Sequence, residues 1–412
     1  MNRIGRTARA TALMVASSWT VAAALTPVQA SAASGGSGCP ALFVLGVQGT
    51  GQSNPAASHT ADTGLLGALL GPVMAAAPNL VQRSYISYDA GFGGVVGAGT
   101  ESYATSVTGA VNGLIDAINH EATTCPTTKL AAVGYSQGAQ AVSTVAQQIG
   151  GGHGLVPSDR IAAIILYGDP DRSPGSPVFP GRPGQTRPDR VPGSVETAVS
   201  TVQISVPRAG GGGIGTGGQR FGALTGRVAE VCDDADLACA SPDRAALFQF
   251  AARLVAQADL RDPVAALASL NNLLRTALGA AWTTILDQDI VVDNRAVTYR
   301  PRKPLSQRLI DAADPRTPVP NRTQTDSASG HLAQINAAVS ADPIGVLPAL
   351  AGQLAGAIGG LAADDADMSN PAVWAHFAGT VAAHTGYAAT GELASGIAWL
   401  TAAAHDIAGS HP

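Results

Sequence analysis

A Gly-Tyr-Ser-Gln-Gly pentapeptide at residues 134–138 limits the folds open to this chain more than any other feature. In this G-x-S-x-G pattern a serine occupies a sharp turn between a strand and a helix, and the two glycines avoid steric collisions. The run Leu130–Val133 before it is typical of a strand, and the run Ala139–Val142 after it is typical of a helix. The context predicts a strand–turn–helix unit that exposes Ser136 as a nucleophile. The alternative interpretation is a tight turn without chemistry.

The order strand, loop, helix recurs through the first 230 residues. The run Ile161–Tyr167 is apolar throughout and rich in β-branched side chains, as expected for a strand buried on both faces. Alternation of this kind is typical of a parallel sheet covered by helices, so the sequence predicts an α/β fold. The predicted strands lie at 41–45, 81–88, 129–133, 161–167 and 202–206, and the predicted helices of this region lie at 101–120 and 139–148.

Beyond residue 240 the predicted structure is mostly helical. Four predicted helix starts share one signature, a capping side chain followed by a proline, whose missing N–H costs nothing at the first helical position. A small hairpin is predicted at 290–299, and a last amphipathic helix at 393–407. The four helix starts are Ser241-Pro242, Asp262-Pro263, Asp342-Pro343 and Asn370-Pro371.

Two of these helical segments, 262–279 and 342–359, resemble each other at an offset of 80 residues. They share the initial Asp-Pro, several leucines and the final glycine, which indicates either an internal duplication or a chance match between two Ala/Leu-rich helices. Residues 343–362 contain no charged side chain and reach the length of a membrane span. Their high Gly, Ala and Pro content favours a buried or lipid-touching amphipathic helix instead.

The first 32 residues have the organisation of an export signal. Arg3, Arg6 and Arg9 precede an apolar stretch at 10–25, and small residues near 30–32 offer a cleavage site. A retained membrane anchor is less favoured, because serine and threonine dilute a short apolar stretch. The sequence therefore predicts a signal peptide at residues 1–32 and a secreted, extracellular mature protein.

The charge balance argues against nucleic acid as a partner. The formal net charge is −5, and loss of a leader with three arginines and no acidic residue changes it to −8. Glycines at 213, 215 and 218 fit G-x-G-x-x-G, but no helix follows them. Acidic clusters at 233–234 and 364–367 lack the spacing of a calcium loop. No cofactor and no metal ion are expected.

All four cysteines lie in the part of the chain that is predicted to be exported. An even number in an oxidising compartment predicts two disulfides, and four cysteines allow three pairings. A metal site is not favoured, because there is no Cys-x-x-Cys and no nearby histidine. The residues are Cys39, Cys125, Cys232 and Cys239, of which the last two are close enough in sequence to close a small loop.

A nucleophilic serine needs a histidine as base and an acid that orients the histidine. The Ser, Asp, His order of α/β hydrolases excludes His59 and His120, which precede the serine, and His153 follows it too closely. Asp169, at the end of the strand predicted at 161–167, is one candidate acid. The backbone N–H of Gln137 is the natural first donor to an oxyanion, because it follows the nucleophile.

Four motifs that occur in the same order as in secreted cutinase-type serine esterases make the chain resemble that family. The four family motifs are the elbow segment with a leading cystine, the oxyanion loop, the C-x3-D-x2-C loop and the His-x-x-Tyr motif. The matching segments are Cys125-Pro126 eleven residues before Ser136, Gly49-Thr50-Gly51-Gln52, Cys232 to Cys239, and His384-Thr385-Gly386-Tyr387.

The resemblance implies a catalytic triad of Ser136, Asp236 and His384. It also implies Thr50 as an oxyanion donor beside Gln137, with disulfides that join Cys39 to Cys125 and Cys232 to Cys239. Residues 240–383 separate the acid's loop from His384, whereas compact members of the family have a far shorter connection there. His376 and His331 therefore remain open as alternative bases. Asp169, at the end of a predicted strand, and Asp233 or Asp234, by a shift within the loop, remain open as alternative acids.

The fold that the resemblance implies is a three-layer α/β/α hydrolase domain of residues 33–239 and 384–412. Residues 240–383 are expected to form a mostly helical insertion, either a cap over the site or a domain on its flank. The implied activity is hydrolysis of carboxylic esters with lipid-like or polyester acyl groups, and peripheral contact with lipid or the cell envelope is expected. The alternatives are an acyltransferase acting on an envelope lipid or sugar alcohol, and a non-catalytic envelope-binding protein. The sequence does not indicate an oligomeric state.

Overall fold

A computed structural model describes residues 38–410 apart from 98, 155, 205, 207, 208, 216, 294 and 295. The predicted signal peptide lies outside the described residues. The strands are β1 (Leu42–Val47), β2 (Val81–Tyr85), β3 (Lys129–Tyr135), β4 (Ile161–Tyr167), β5 (Val228–Val231), β6 (Ile290–Asp293) and β7 (Ala296–Tyr299). The helices are α1 (Gly64–Ala76), α2 (Tyr103–Thr124), α3 (Gln137–Gly150), α4 (Leu237–Ala240), α5 (Ala246–Gln257), α6 (Pro263–Gln288), α7 (Leu305–Ala313), α8 (Arg322–Ala341), α9 (Pro343–Ala363), α10 (Pro371–His376), α11 (Thr380–Thr385) and α12 (Leu393–Ala408).

Five parallel strands form the central sheet, in the order β2-β1-β3-β4-β5. Helices α1 and α12 cover one face, where Leu69 and Trp399 are buried. Helices α2 and α3 cover the other face, where Leu114 and Val142 are buried. Parallel strands enclosed in this way need apolar side chains on both faces, which explains the uniformly apolar β4. The structure confirms the three-layer α/β fold that the sequence predicts.

Four of the predicted strands are present, but the strand predicted at 202–206 is wrong. The described residues of that segment form no strand. Ile204 is buried against the helix layer, and its N–H donates to Thr186 O at 2.8 Å, so the apolar pattern reflects a packed loop. Helix α1 and strand β5 were not predicted. Pro72 and several glycines lower the helix propensity of α1, and Glu230 interrupts the apolar run of β5.

Three of the four predicted helix starts are confirmed. Asp262, Asp342 and Asn370 each accept hydrogen bonds from backbone N–H groups of the first helical turn. The start predicted at Ser241 is wrong, because this serine follows α4 and pairs with Gly212 in an isolated bridge, and the next helix begins at Ala246. The predicted hairpin is present as the antiparallel pair β6–β7, although the residues at its turn lie outside the described part.

The segment between α4 and α11 packs around two small apolar clusters of its own. It also contacts the α/β core: Leu260 N–H donates to Gly93 O at 2.8 Å, and the Arg316 guanidinium lies 3.6 Å from Asp171. Helix α9 is long and apolar enough to cross a membrane. An 18-residue stretch of it has a mean hydropathy of 1.6, and only 6% of that stretch is buried. The alternative that α9 is a buried helix is therefore wrong.

Candidate active site

Ser136 lies at the sharp turn between β3 and α3. Its backbone has φ 53° and ψ −122°, a conformation that costs a non-glycine residue energy and persists only where the surroundings enforce it. A Cβ at Gly134 would lie 2.5 Å from Ala139 Cα, and a Cβ at Gly138 would lie 2.0 Å from Val47 O. Both flanking glycines are thus required by close backbone contacts, as in a nucleophile elbow.

His384 and Asp236 lie next to Ser136 and form one chain of hydrogen bonds with it. Ser136 Oγ is 2.8 Å from His384 Nε2, and His384 Nδ1 is 2.8 Å from Asp236 Oδ2. The Asp236 carboxylate is fully buried, whereas 23% of the His384 side chain is exposed. A hydroxyl, an imidazole and a buried carboxylate in this order can activate the serine as a nucleophile.

The three residues come from separate elements that meet at the carboxyl edge of the sheet. Ser136 follows β3, and Asp236 is the N-cap of α4, in the loop after β5, where its Oδ1 accepts from Ala238 N at 3.0 Å. His384 lies near the end of α11. Gly168 follows the intervening strand β4 with φ +61°, and a Cβ there would lie 3.2 Å from His384 Cε1. The carboxyl edge of an α/β sheet is a common place for functional groups.

Two tyrosines support the histidine and the acid. The Tyr135 hydroxyl donates to His384 O at 2.8 Å, and the two rings are 5.3 Å apart. Burial raises the pKa of Tyr135 to about 12, so the hydroxyl stays protonated near neutral pH. The Tyr387 hydroxyl donates to Asp236 Oδ2 at 2.5 Å. The sequence singled out Tyr387 as part of a motif, but a role for its hydroxyl was not predicted.

The loop that carries Thr50 lies against the nucleophile. A Cβ at Gly49 would lie 3.1 Å from Ser136 Cβ, so only a glycine lets the loop approach this closely. The Gln137 side chain is engaged in the interior, where its Nε2 donates to Gly91 O at 3.1 Å and its Oε1 accepts from Ser106 Oγ at 3.3 Å. Gln137 can therefore serve an oxyanion only through its backbone N–H.

Both disulfides expected from the resemblance are present. Cys39–Cys125 joins the chain before β1 to the end of α2, with a sequence separation of 86. Cys232–Cys239 closes a loop with a separation of 7, and Asp236 lies inside this loop. The short disulfide thus restricts the segment that supplies the buried carboxylate.

The alternative histidines do not contact the serine. His331 Nδ1 lies 2.6 Å from Leu286 O, far along the chain from the elbow. His376 Nε2 lies 2.9 Å from Asp234 O and 3.3 Å from its Oδ2, so this exposed histidine contacts the outside of the acid's loop.

The alternative acids are engaged with other donors. Asp169 is buried and accepts from Asp171 N at 3.0 Å and from Gln219 Nε2 at 2.7 Å. Burial and the nearby acids Asp171 and Glu230 raise the pKa of Asp169 well above its usual value. Asp233 Oδ1 accepts from Ala235 N at 2.8 Å, and Asp234 Oδ1 accepts from Gly210 N at 3.0 Å.

A buried arginine behind the acid's loop was missed by the sequence analysis. The Arg172 guanidinium donates to the backbone carbonyls of Gly211, Ser176, Ala209 and Cys239. The guanidinium also lies 3.7 Å from the buried Glu230 carboxylate. Only the folded chain brings these partners together, so no sequence pattern could reveal them. In the described part of the chain, no group of three or more His, Cys, Asp or Glu side chains is arranged to hold a metal ion.

Comparisons with known proteins place these observations in one family. The family model described as Cutinase matches residues 39–258. A carboxylesterase Culp6 homolog from Corynebacterium glutamicum is 38% identical over 120 residues, which are 29% of this chain and 37% of that protein. A cutinase from Monilinia fructicola is 33% identical over 130 residues, which are 30% of this chain and 57% of that protein. The matches thus span between about a third and somewhat over half of these relatives.

The solved structures that this chain matches include the catalytic core domain of acetyl xylan esterase from Trichoderma reesei. That match has 25% identity and a TM-score of 0.32, and covers 57% of this chain and 99% of the other. Lysin B from Mycobacteriophage D29 has 17% identity and a TM-score of 0.34, and the match covers 72% of this chain and 91% of the other. The family model extends over more than half of the chain, from the first disulfide cysteine to the end of α5, and this protein therefore belongs to the cutinase family.

Proposed function

We propose that this protein is a secreted serine esterase that hydrolyses carboxylic esters with Ser136, His384 and Asp236. The observation that carries the proposal is the continuous hydrogen-bond chain from the serine through the imidazole to the buried carboxylate, with both distances 2.8 Å. A nucleophile, a base and an orienting acid in contact supply the chemistry of acyl transfer. Membership of the cutinase family supports the same reaction.

In the proposed reaction Ser136 Oγ attacks the acyl carbon while His384 Nε2 takes the hydroxyl proton. The backbone N–H of Gln137 and the Thr50 loop stabilise the negative charge on the former carbonyl oxygen. His384 then delivers the proton to the leaving alcohol, and a water molecule, activated by the same imidazole, releases the acid from the acyl-enzyme. Asp236 holds the imidazole in the required tautomer and stabilises the imidazolium form.

The proposed substrates carry lipid-like or polyester acyl groups. Apolar side chains with large exposed fractions lie beside the candidate catalytic residues. A Cβ at Gly51, next to Thr50, would lie 3.2 Å from Val96 Cγ1, and Val96 is half exposed. Val381 is 75% exposed on the helix that carries His384. Exposed apolar side chains beside a polar catalytic centre suit an ester with an apolar chain.

We propose that the insertion at residues 240–383 covers the catalytic centre. Its last helices contact the loop of Asp236: the Thr380 hydroxyl accepts from Leu237 N at 2.8 Å, and His376 lies against Asp234. At its other end the insertion leaves directly from α4, whose N-cap is Asp236. Both ends are therefore tied to the acid's loop, which favours a cap over a domain on the flank.

We also propose that the insertion contacts a lipid surface. Helices α6 and α9, the two segments that resemble each other in sequence, expose apolar side chains at equivalent positions. Each set follows the helical period, so it forms one stripe on its helix. The pairs are Val264 and Ile344, Leu267 and Leu347, Leu274 and Leu354, and Leu278 and Ile358, which are between 38% and 85% exposed.

The absence of charge on these helices supports lipid as the occupant. Helix α9 has no charged residue, and the 26-residue α6 has only Arg275 and Asp287. Contact with acyl chains would therefore desolvate few charges, and the acidic net charge argues for lipid without net charge. Flotation with phosphatidylcholine vesicles tests this: Val264→Ser with Ile344→Ser should reduce the bound fraction, and Val195→Ser, an exposed valine outside the insertion, should not. Equal binding by all three proteins would contradict the proposed contact.

Hydrolysis of p-nitrophenyl esters over a range of acyl lengths tests the esterase function. The wild-type protein should release p-nitrophenol and react with a fluorophosphonate probe, and Ser136→Ala should do neither while it remains folded. The loss of one hydroxyl removes no core packing, so circular dichroism should be unchanged. Undiminished labelling of Ser136→Ala would contradict the assignment, and an inactive, unlabelled wild type would favour a non-catalytic envelope-binding protein.

The runner-up activity is acyl transfer with the same three residues. Product analysis with and without an added sugar or lipid alcohol separates the two reactions, because a transferase forms a new ester where a hydrolase forms the free acid. Secretion is supported by the two disulfides and by the predicted signal peptide. Recovery of the processed protein from the culture medium tests it.

A further inference from the structure

We propose that Tyr387 is a positioning residue that holds the Asp236 carboxylate in the orientation required by His384. The inference rests on the esterase function proposed above, since it assigns a role within the same site. Two observations support it. One is the set of hydrogen bonds to the buried oxygen Asp236 Oδ2, and the other is the surroundings of the Tyr387 hydroxyl.

The Asp236 carboxylate is removed from solvent, so its charge depends on hydrogen-bond donors from the protein. Its Oδ1 accepts from Ala238 N at 3.0 Å. Its Oδ2 lies 2.8 Å from His384 Nδ1 and 2.5 Å from the Tyr387 hydroxyl. Tyr387 thus donates to the same oxygen atom that orients the imidazole, and it limits the rotation of the carboxylate.

The surroundings of the Tyr387 hydroxyl direct its proton to Asp236. The hydroxyl oxygen accepts from Asp233 N at 3.4 Å and lies 3.5 Å from Cys239 Sγ, a disulfide sulfur. The carboxylate is therefore the strong acceptor within reach. Burial and the charge of Asp236 raise the pKa of Tyr387 well above its usual value, so the hydroxyl remains a donor throughout the neutral range.

Packing holds the Tyr387 ring in one place. The ring is completely buried and meets the rings of Tyr135 and Tyr167 edge to face, at centroid distances of 6.2 and 5.9 Å. Tyr387 also follows His384 by only three residues. One short segment therefore supplies both groups that hydrogen-bond to Asp236 Oδ2, so the imidazole and the carboxylate are positioned together.

Removal of the hydroxyl should have two effects on catalysis. The carboxylate would be less restrained, which lowers the fraction of His384 in the productive orientation and reduces kcat. Oδ2 would also become more basic and would stabilise the imidazolium more strongly, so the acidic limb of the pH profile should move to higher pH. A tyrosine that only filled space would not move this limb.

Tyr387→Phe is the test, and Tyr167→Phe is the matched control. Tyr167 is a buried member of the same ring cluster, and its hydroxyl has no hydrogen-bond partner within the described part of the chain. Loss of a hydrogen bond to a charged group predicts a decrease in kcat of about 10- to 100-fold for Tyr387→Phe, with little change in KM. The same kcat and pH profile in both variants would overturn the inference.

A readout independent of turnover separates this inference from the proposed function. NMR titration of the His384 ring protons should give a higher midpoint in Tyr387→Phe than in the wild type and Tyr167→Phe. An unchanged midpoint would overturn the inference even if kcat fell. If the wild-type protein hydrolysed no ester, the proposed function would fail, whereas the titration would still decide whether Tyr387 acts on the Asp236–His384 pair.

Discussion

Thr380 accepts a hydrogen bond from the backbone N–H of Leu237, with 2.8 Å between Oγ1 and N. Thr380 begins α11, which carries His384, and Leu237 begins α4, whose N-cap is Asp236. The segments that carry the candidate base and the candidate acid are therefore joined by a contact outside the Ser136–His384–Asp236 chain. The end of the insertion and the loop of the acid form one unit at the candidate active site.

Among the histidines, His384→Ala should cost about as much activity as Ser136→Ala, because triad members act as a unit and their losses do not add. His331→Ala and His376→Ala should retain most activity, since neither imidazole contacts the serine. Initial rates with a short p-nitrophenyl ester measure this. An active His384→Ala together with an inactive His376→Ala would show that the base is assigned wrongly.

Replacement of Thr50 tests the oxyanion loop. Thr50→Val should lower kcat by about 10²- to 10³-fold with a small effect on KM, because an oxyanion donor acts mainly in the transition state. This result requires the hydroxyl to be the donor, so Thr50→Ser should keep most activity. If Thr50→Val kept the wild-type kcat, the hydroxyl would not be a donor, and only the backbone of this loop could stabilise the oxyanion.

The two disulfides should affect different properties. Loss of Cys39–Cys125, with a separation of 86, should cost about 4–5 kcal/mol in the free energy of unfolding, against about 2 kcal/mol for Cys232–Cys239 with its separation of 7. Loss of the short disulfide should reduce kcat more, because it releases the loop of Asp236. Urea unfolding and ester hydrolysis of the two double Cys→Ser variants measure both effects. If loss of Cys39–Cys125 reduced kcat more than loss of Cys232–Cys239, the expected assignment of stability to the long disulfide and activity to the short one would be contradicted.

Replacement of residues 245–378 by a Gly/Ser linker tests the cap. The variant keeps Thr380 and His384, so a core that folds should still hydrolyse short esters. If the insertion covers the catalytic centre, the preference for acyl chain length should change, because apolar surface near the site is lost. An unaltered chain-length profile would favour packing of the insertion on the flank.

Glu230 should make stability depend on pH. Burial raises its pKa to about 7 in the folded protein, well above the usual value of a glutamate, so the folded state binds this proton more tightly than the unfolded state. The contribution of Glu230 to stability should therefore fall as pH rises from about 4.5 to about 7. Urea unfolding at several pH values measures this. Over this pH range the free energy of unfolding should decrease less for Glu230→Gln than for the wild type. Glu196→Gln, an exposed control, should follow the wild type.

Much of the α/β core could be predicted because its signals are local. The apolar run of β4 and the glycines around Ser136 report directly on burial and on close backbone contacts. The misassigned segment at 202–206 and the missed β5 show where the hydrophobic pattern misleads, since a loop packed on the core can carry a strand-like apolar run and a short edge strand can include an ionisable residue. Ile204 is buried without strand pairing, and Glu230 lies in a strand although its side chain is ionisable.

The sequence by itself determined the α/β class, the strand–turn–helix unit at Ser136 and three of the four helix starts, because spacing and residue type act over a few positions. The favoured candidates for base and acid came from the resemblance to cutinase-type esterases. Only the tertiary structure brought His384 to Ser136 across 248 positions and separated it from His331 and His376. Only the fold gave Tyr387 its position on Asp236 Oδ2. Such contacts depend on how distant segments pack, and no local pattern in the chain records that packing.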